Sequence, residues 1–180
     1  MFKLFRPAKT RETIERLYGA IVAQSRREAF YTDFGVPDTL EGRFEMVVLH
    51  TVLVCHRLKG GDELERALSQ DMFDSFAADM DRTLREMGVG DLSVPKKMKK
   101  IGAAFYGRAS AYDAGLAASA DEELAAALGR NILELEAAGD PRATALATYV
   151  RAAAAALAQT PSATLLSGEL ALPAPETTRG

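Results

Sequence analysis

The sequence contains few of the residues that small proteins use for covalent or metal cross-links. Of its 180 residues, one is cysteine, two are histidine and none is tryptophan. The single cysteine, Cys55, excludes an internal disulfide framework and is typical of proteins in a reducing compartment. A chain of this length buries about two-thirds of the surface that it exposes when unfolded, so it needs no cross-link to fold.

Long apolar runs and a strong excess of one charge are also missing. The most apolar segment, residues 46–55, covers ten residues, whereas a membrane-spanning helix needs roughly 18. Residues 1–9 are basic but lack the apolar region of a secretory signal, so we expect a flexible basic N-terminus. With 22 basic and 25 acidic residues, the net charge of −3 creates no global attraction to nucleic acid or anionic lipid.

Residues that could bind a metal or carry out catalysis do not form a recognisable set. His50, Cys55 and His56 have spacings of five and six, which differ from the i, i+4 pair of a helical zinc site. The chain has no nucleophile elbow, no phosphate-binding glycine loop and no CxxC pair. We therefore predict a protein that is not an enzyme and holds no metal or cofactor, with Cys55 as a small core residue.

Apolar residues recur at intervals of three and four, which predicts an all-α fold, a single-domain bundle of six to seven helices. The helical domain covers residues 10–159, and a disordered tail follows over 160–180, where no period is sustained. Asp38 with Glu41 is predicted to cap the second helix through a capping box, and Asp62 with Glu65 the third. The predicted helices span residues 10–28, 38–58, 62–87, 93–116, 121–138 and 141–159, with a loop over 30–37.

The second helix has apolar residues on two opposite sides, which predicts that it packs on both. Arg43, His50 and Arg57 recur every seven residues and form a polar seam beside one of these strips. One interpretation of the seam is a solvated edge. The other is the border of a hydrophobic groove, where arginine binds a partner's carboxylate or carbonyl groups. The strip beside the seam contains Met46, Leu49 and Leu53.

Charge is distributed unevenly over the next two helices. Residues 62–86 contain eight acidic residues and three arginines. Four lysines then fall in the first turns of the following helix, where the helix dipole disfavours positive charge. Either the acidic helix neutralises them, or they bind an anionic partner such as ribosomal RNA, lipid headgroups or an acidic loop. Tyr106 lies on the lysine side of that helix, as is common at interfaces. The lysines are Lys96, Lys97, Lys99 and Lys100.

Several short motifs follow one another along the chain: Phe30-Tyr31, Gly35 to Glu45 (GVPDTLEGRFE), Gly88 to Lys100 (GVGDLSVPKKMKK), Phe105 to Arg108 (FYGR) and Ala111-Tyr112. In this order and spacing they resemble the ubiquinol–cytochrome c chaperone family, whose members are assembly factors of the cytochrome bc1 complex in mitochondria and alphaproteobacteria. The resemblance covers roughly residues 10–135, and the short N-terminus without a transit peptide is similar to the bacterial branch.

The resemblance implies a helical, non-enzymatic chaperone that binds newly synthesised cytochrome b, located in the cytoplasm and peripheral at the cytoplasmic face of the inner membrane. It leaves a ribosome, the membrane surface and a small partner assembly factor open as further partners, and it implies no specific DNA binding. Together with His50 from the polar seam, the residues expected to bind the client are Phe30, Tyr31, Gly35, Val36, Arg43, Phe44, Lys96, Lys97, Lys100, Phe105, Tyr106, Arg108 and Tyr112.

Two other functions stay open at this point. The first is a ribosome- or RNA-binding helical module that uses the cluster from Lys96 to Lys100, and it predicts binding that weakens steeply with salt. The second is a protein that handles haem or quinone, with His50 as the ligand.

Overall fold

The computed structural model describes residues 8–177. All regular secondary structure within them is helical, and they contain no β-strands. The all-α prediction is confirmed. Six helices have ten residues or more and two have five. The helices are α1 Ala8–Ser25, α2 Glu28–Thr32, α3 Leu40–Lys59, α4 Glu63–Glu86, α5 Val94–Ala117, α6 Glu122–Asn131, α7 Pro141–Gln159 and α8 Ser162–Leu166, followed by a 3₁₀ turn, Pro175–Thr177.

Helix α3 is the centre of the fold, as its two apolar sides predict. Twelve of its twenty residues are buried, and α1, α4, α5 and α7 all pack against it. Because the helix is surrounded, its stabilisation comes from burial on nearly every side rather than along a single stripe. No helix within residues 8–177 is both long and apolar enough to span a bilayer.

The start of α3 differs from the prediction by one residue. The N-cap is Thr39, whose hydroxyl accepts a hydrogen bond from the Gly42 backbone N–H at 3.0 Å. Asp38 instead accepts a hydrogen bond from Arg43 at 2.6 Å. A Cβ on Gly42 would lie 2.0 Å from the carbonyl oxygen of Pro37, so this tight entry requires glycine. At α4 the predicted capping box between Asp62 and Glu65 is present.

Other element boundaries move more. Helix α1 ends at Ser25 rather than near residue 28, and α2 occupies the first part of the predicted 30–37 loop. Helix α6 ends at Asn131, seven residues early, since the chain then turns inward and buries Ile132 and Leu133. The turn continues at Glu134, whose φ of 54° lies in the left-handed region. Periodicity does not detect such a turn, because its apolar residues continue the helical spacing.

Much of the segment predicted as a disordered tail, residues 160–180, is folded onto α1, which corrects that prediction over the described part. Leu165 is fully buried. Gln24 of α1 donates a hydrogen bond to the Pro173 carbonyl at 2.9 Å, and Arg27 pairs with Glu176 at 3.1 Å. The predicted flexible N-terminus, residues 1–9, lies outside the described residues except for the first two positions of α1.

Candidate functional site

Five of the residues expected to bind the client lie inside the bundle. Each is at most 3% exposed. Such a side chain cannot touch a partner while the protein stays folded, so the expectation is corrected: these residues form the core. For the four that belong to the motifs of the resemblance, that membership reflects packing and not a binding surface. The five are Phe30, Val36, Phe105 and Tyr112 from the motifs and His50 from the polar seam.

His50 is held by a complete hydrogen-bond network. Its Nδ1 lies 2.8 Å from the Met46 carbonyl, which can only accept, so Nδ1 carries the hydrogen. Nε2 then accepts from the Tyr149 hydroxyl at 2.8 Å, and that oxygen in turn accepts from the Gln24 amide at 3.0 Å. Burial lowers the pKa of His50 to about 4. Both ring nitrogens of the neutral imidazole are used, and none remains to ligate haem.

The polar seam of α3 is divided among different environments, so its three residues do not border one groove in the described structure. Arg43 is exposed, whereas His50 is buried against α1 and α7. Arg57 donates to the Leu157 carbonyl at 3.0 Å and pairs with Glu65 at 2.7 Å, which ties α3 to α4 and to the end of α7. The apolar strip beside the seam is at most 1% exposed and forms part of the core.

Tyr31 and Gly35 have structural roles in the connection between α2 and α3. The Tyr31 hydroxyl donates to the Ser25 carbonyl at 2.8 Å, and burial raises the pKa of Tyr31. Gly35 has a φ of 74°, and a Cβ there would lie 2.9 Å from the Arg142 side chain. These contacts fix how the loop passes the first turn of α7, and they commit the Tyr31 hydroxyl and the backbone at Gly35 to the fold.

Arg108 and Glu45 form a bidentate ion pair between α5 and α3. The Arg108 Nε and Nη2 atoms each donate to one oxygen of the Glu45 carboxylate. Burial raises the pKa of Glu45, and the pairing with Arg108 offsets part of that effect. Because its guanidinium is committed to this pair, Arg108 positions α5 on the core and is not a free anchor for a client.

An open apolar groove lies between the end of α1, the start of α3, the second half of α4 and one residue of α5. It encloses about 270 Å³. Two of its lining residues, Arg43 and Phe44, are among those expected to bind the client. Leu40 and Met87 are more than half exposed at its edges. The groove is lined by Val22, Arg26, Leu40, Glu41, Arg43, Phe44, Val47, Asp79, Met80, Thr83, Leu84, Met87 and Ile101.

Charged groups border this apolar groove. Arg43 pairs with Asp38 while both side chains stay about half exposed, and this pairing lowers the pKa of Asp38. Arg26, on the α1 side, is exposed. Asp79 accepts a hydrogen bond from the Tyr18 hydroxyl at 3.0 Å. An exposed ion pair such as Arg43–Asp38 contributes little to stability, so Arg43 can exchange its partner for a carboxylate or carbonyl of a bound chain.

A second cleft, the aromatic cleft, opens between α3, α4 and α5 and encloses about 390 Å³. Tyr106, which is 60% exposed, contacts Phe73 at its mouth with ring centroids 5.2 Å apart. Phe73 and Phe76 both contact Phe105, with ring centroids 5.0 and 5.1 Å from its own. Phe76 also contacts Phe44 in the apolar groove at 6.0 Å. A continuous aromatic layer therefore joins the two openings.

The four lysines from Lys96 to Lys100 form an exposed patch at the start of α5, which we call the basic corner. Within residues 8–177 no carboxylate pairs with any of them. The acidic residues of α4 that form ion pairs do so with arginines: Asp79 with Arg82, Asp81 with Arg85, and Glu65 with Arg57 of α3. Direct pairing of the lysines with the acidic helix is therefore not found in this part of the chain.

Most residues that line the apolar groove are not among those expected to bind the client. Met80 and Leu84 lie on the apolar side of α4 and are only partly buried, and Met87 at its end is 56% exposed. Periodicity identifies such a stripe, but it does not show how much of the stripe the neighbouring helices cover.

The remaining reactive groups do not form a site. No group of three or more metal-ligating side chains is found among residues 8–177. Burial raises the pKa of the Cys55 thiol to about 11, and its sulfur lies 3.5 Å from the Ser69 carbonyl. A protonated, mostly buried thiol is a poor nucleophile. The described residues do form open apolar clefts between helices, a feature typical of helical binding proteins.

Comparisons with known proteins define the family. A model of the ubiquinol-cytochrome C chaperone family matches residues 32–172. Ubiquinol-cytochrome-c reductase complex assembly factor 1 of Xenopus laevis is 27% identical over 136 residues, which cover 76% of this chain and 68% of the frog protein. The corresponding Mus musculus protein is also 27% identical over 136 residues, and the match covers 46% of its length.

The crystal structure of the Cbp3 homolog from Brucella abortus is similar over 93% of this chain and 92% of that one, with 41% identity and a TM-score of 0.85. This chain belongs to the ubiquinol–cytochrome c chaperone family. The similarity to an alphaproteobacterial protein agrees with the predicted bacterial branch. Because this family is one of chaperones, the prediction that the protein is not an enzyme is confirmed.

Proposed function

We propose that this protein is an assembly chaperone that binds newly synthesised cytochrome b for biogenesis of the cytochrome bc1 complex, working at the cytoplasmic face of the inner membrane. The observation that carries the proposal is an open apolar groove bordered by arginines in a chain of the ubiquinol–cytochrome c chaperone family. A membrane protein awaiting its partner subunits exposes apolar helices and charged loops, and the groove offers a complement to both.

The apolar part of the groove suits one face of a client helix. Leu84, Met80 and Met87 lie one turn apart along α4, and Phe44 faces them from α3. Helix-in-groove recognition uses apolar anchors at such one-turn intervals. Methionine adapts its shape to different side chains. We therefore expect the groove to bind an apolar segment of the client transiently.

The charged groups at the border of the groove orient the bound client and allow its release. Arg43 sits at one side, paired with Asp38 in an exposed ion pair that water already weakens. A client carboxylate or a free carbonyl at a helix end can replace Asp38 at little cost. No buried ion pair has to be broken to release the client. It can therefore leave the groove when its apolar face packs against its final partner subunit.

Site-directed photo-crosslinking during cytochrome b synthesis tests the proposal. A photoreactive amino acid at Leu84, in the groove, is expected to crosslink to cytochrome b. The same group at Ala155, exposed on α7, is the matched control and is expected to give no adduct. The absence of an adduct at Leu84, or equal adducts at both positions, contradicts the proposed site.

A second experiment measures assembly. In a host that lacks the native gene, Leu84→Asp is expected to lower the b-type haem signal in difference spectra, whereas Ala155→Asp restores it. Leu84 is partly exposed, so the substitution places a carboxylate in the groove without burying it in the core. Full assembly with Leu84→Asp overturns the role of the groove.

A further inference from the structure

The turn between α4 and α5 presents an apolar side chain directly to solvent. Leu92 is 99% exposed, the highest value among the large apolar residues that the structure describes, and Met87 at the other end of the turn is 56% exposed. Because Leu92 is not buried in the folded chain, its side chain contributes no burial energy to folding.

This turn is ordered by its own hydrogen bonds. The Ser93 and Val94 backbone N–H groups donate to the Gly90 carbonyl at 2.8 and 3.2 Å, and Val89 donates to the Leu84 carbonyl at 3.0 Å. Gly88 supplies the left-handed residue, with a φ of 79°. The backbone therefore holds Leu92 outward in a defined position.

The basic corner begins directly after this turn. All four of its lysines are exposed, whereas Val94 is buried and Met98 is partly buried on the same helix. The nearest acidic residue along the chain, Asp91, is already paired with Arg85. An exposed leucine and four unpaired ammonium groups thus share one end of the molecule.

We propose that the α4–α5 turn and the basic corner together bind an anionic lipid surface, with Leu92 inserted at the boundary of the headgroups and the acyl chains. Lysine stems lie along apolar surface while their ammonium groups reach headgroup phosphates. Lipid needs no fixed donor geometry, which suits four lysines without an arginine. RNA modules depend on aromatic stacking, and Tyr106, the exposed aromatic residue of α5, is engaged with Phe73.

The inference rests on the proposed function for the choice of membrane and adds the surface and the lipid class to it. Met87 belongs both to this turn and to the apolar groove. When the turn sits on the bilayer, the open end of the groove is therefore close to the point where a client helix leaves the lipid. The membrane contact and the client site remain separate surfaces that can be tested one at a time.

Vesicle co-sedimentation of the full chain tests the inference without any client. At physiological ionic strength we expect binding to phosphatidylcholine vesicles that contain phosphatidylglycerol and none to phosphatidylcholine alone. Each lysine near an anionic surface contributes about fivefold to the binding constant, so Lys96→Gln with Lys100→Gln is expected to weaken binding about 25-fold. Leu92→Ser is expected to weaken it roughly tenfold with the charge unchanged.

The matched control is Arg11→Gln with Arg16→Gln, two exposed cations near the start of α1. This part of α1 packs beside the first turns of α4, at the other end of that helix from the basic corner. The control removes the same charge and is expected to bind anionic vesicles as the native chain does. An equal loss in both double variants means that net charge drives binding, and this overturns the proposed surface.

Two further outcomes overturn the inference. One is no binding of the native chain to anionic vesicles. The other is binding to single-stranded RNA that the lysine substitutions abolish while vesicles are ignored. If vesicles are ignored but crosslinking from Leu84 to cytochrome b persists, only the lipid surface fails. If vesicles bind and no crosslink forms, only the proposed function fails.

Discussion

Acidification is expected to destabilise this protein through His50. The imidazole is fully buried and neutral, with Nδ1–H donating to the Met46 carbonyl and Nε2 accepting from Tyr149. A second proton at Nε2 would face a hydroxyl that is already donating to it. If the Tyr149 oxygen accepted from a protonated Nε2 as well as from Gln24, its own hydrogen would lose the acceptor that it has now. The charged form is therefore unfavourable both because of burial and because of the hydrogen bonds.

The size and the sign of the effect follow from the pKa of His50. Burial lowers it to about 4 in the folded state, against about 6.5 in the unfolded chain. Between these values the unfolded chain binds a proton that the folded chain does not, so stability falls as the pH falls. The loss is about 2 kcal/mol between pH 7 and pH 5, and about 3 kcal/mol when the pH reaches the folded-state pKa.

Urea unfolding of the native chain and of His50→Gln, each measured at both pH values, isolates this contribution. Glutamine does not titrate, so the variant is expected to lose about 2 kcal/mol less than the native chain between pH 7 and pH 5. Acidic groups contribute equally to both proteins and cancel in the difference. An identical pH dependence in the two proteins would refute the assignment of a neutral buried imidazole.

The remaining predictions concern packing. Gly42→Ala is expected to cost about 3 kcal/mol, because its Cβ would lie 2.0 Å from the carbonyl of Pro37. Gly19→Ala, a helical position with no atom within 4 Å, is expected to stabilise by about 0.5–1 kcal/mol, and thermal melts of both variants check this contrast. Arg108→Met leaves the buried carboxylate of Glu45 without its partner and is expected to cost about 3 kcal/mol in urea unfolding at pH 7. That cost should shrink in mildly acidic solution, where Glu45 takes up a proton; a cost independent of pH would contradict the ion pair.

The motifs of the resemblance contain both core residues and exposed residues. Phe105 and Tyr106 are neighbours in one motif, yet Phe105 is 3% exposed and Tyr106 is 60% exposed. Arg43 and Arg108 are both arginines within motifs, but Arg43 borders the groove with an exposed partner, whereas Arg108 is committed to a partly buried pair. Residue type and motif membership do not separate these cases, because exposure is set by which helix lies opposite.

The helical class, the central position of the second helix and the capping box at Asp62 and Glu65 can all be predicted from the sequence. These properties depend on local spacing, which a linear chain records directly. The sequence also places four lysines in the first turns of α5, but it leaves open whether an acidic helix pairs with them.

Which side chains are exposed depends on how the helices pack in three dimensions. The apolar groove at Phe44 and Leu84 lies where α1, α3, α4 and α5 meet, and His50 of the polar seam is buried against Tyr149 of α7. The fold of residues 160–177 onto α1 likewise depends on partners far away in sequence, such as Gln24. Contacts between residues far apart in the sequence do not appear as a periodic pattern of apolar residues. The exposure of a given apolar or cationic side chain therefore cannot be predicted from that pattern and depends on how the helices pack.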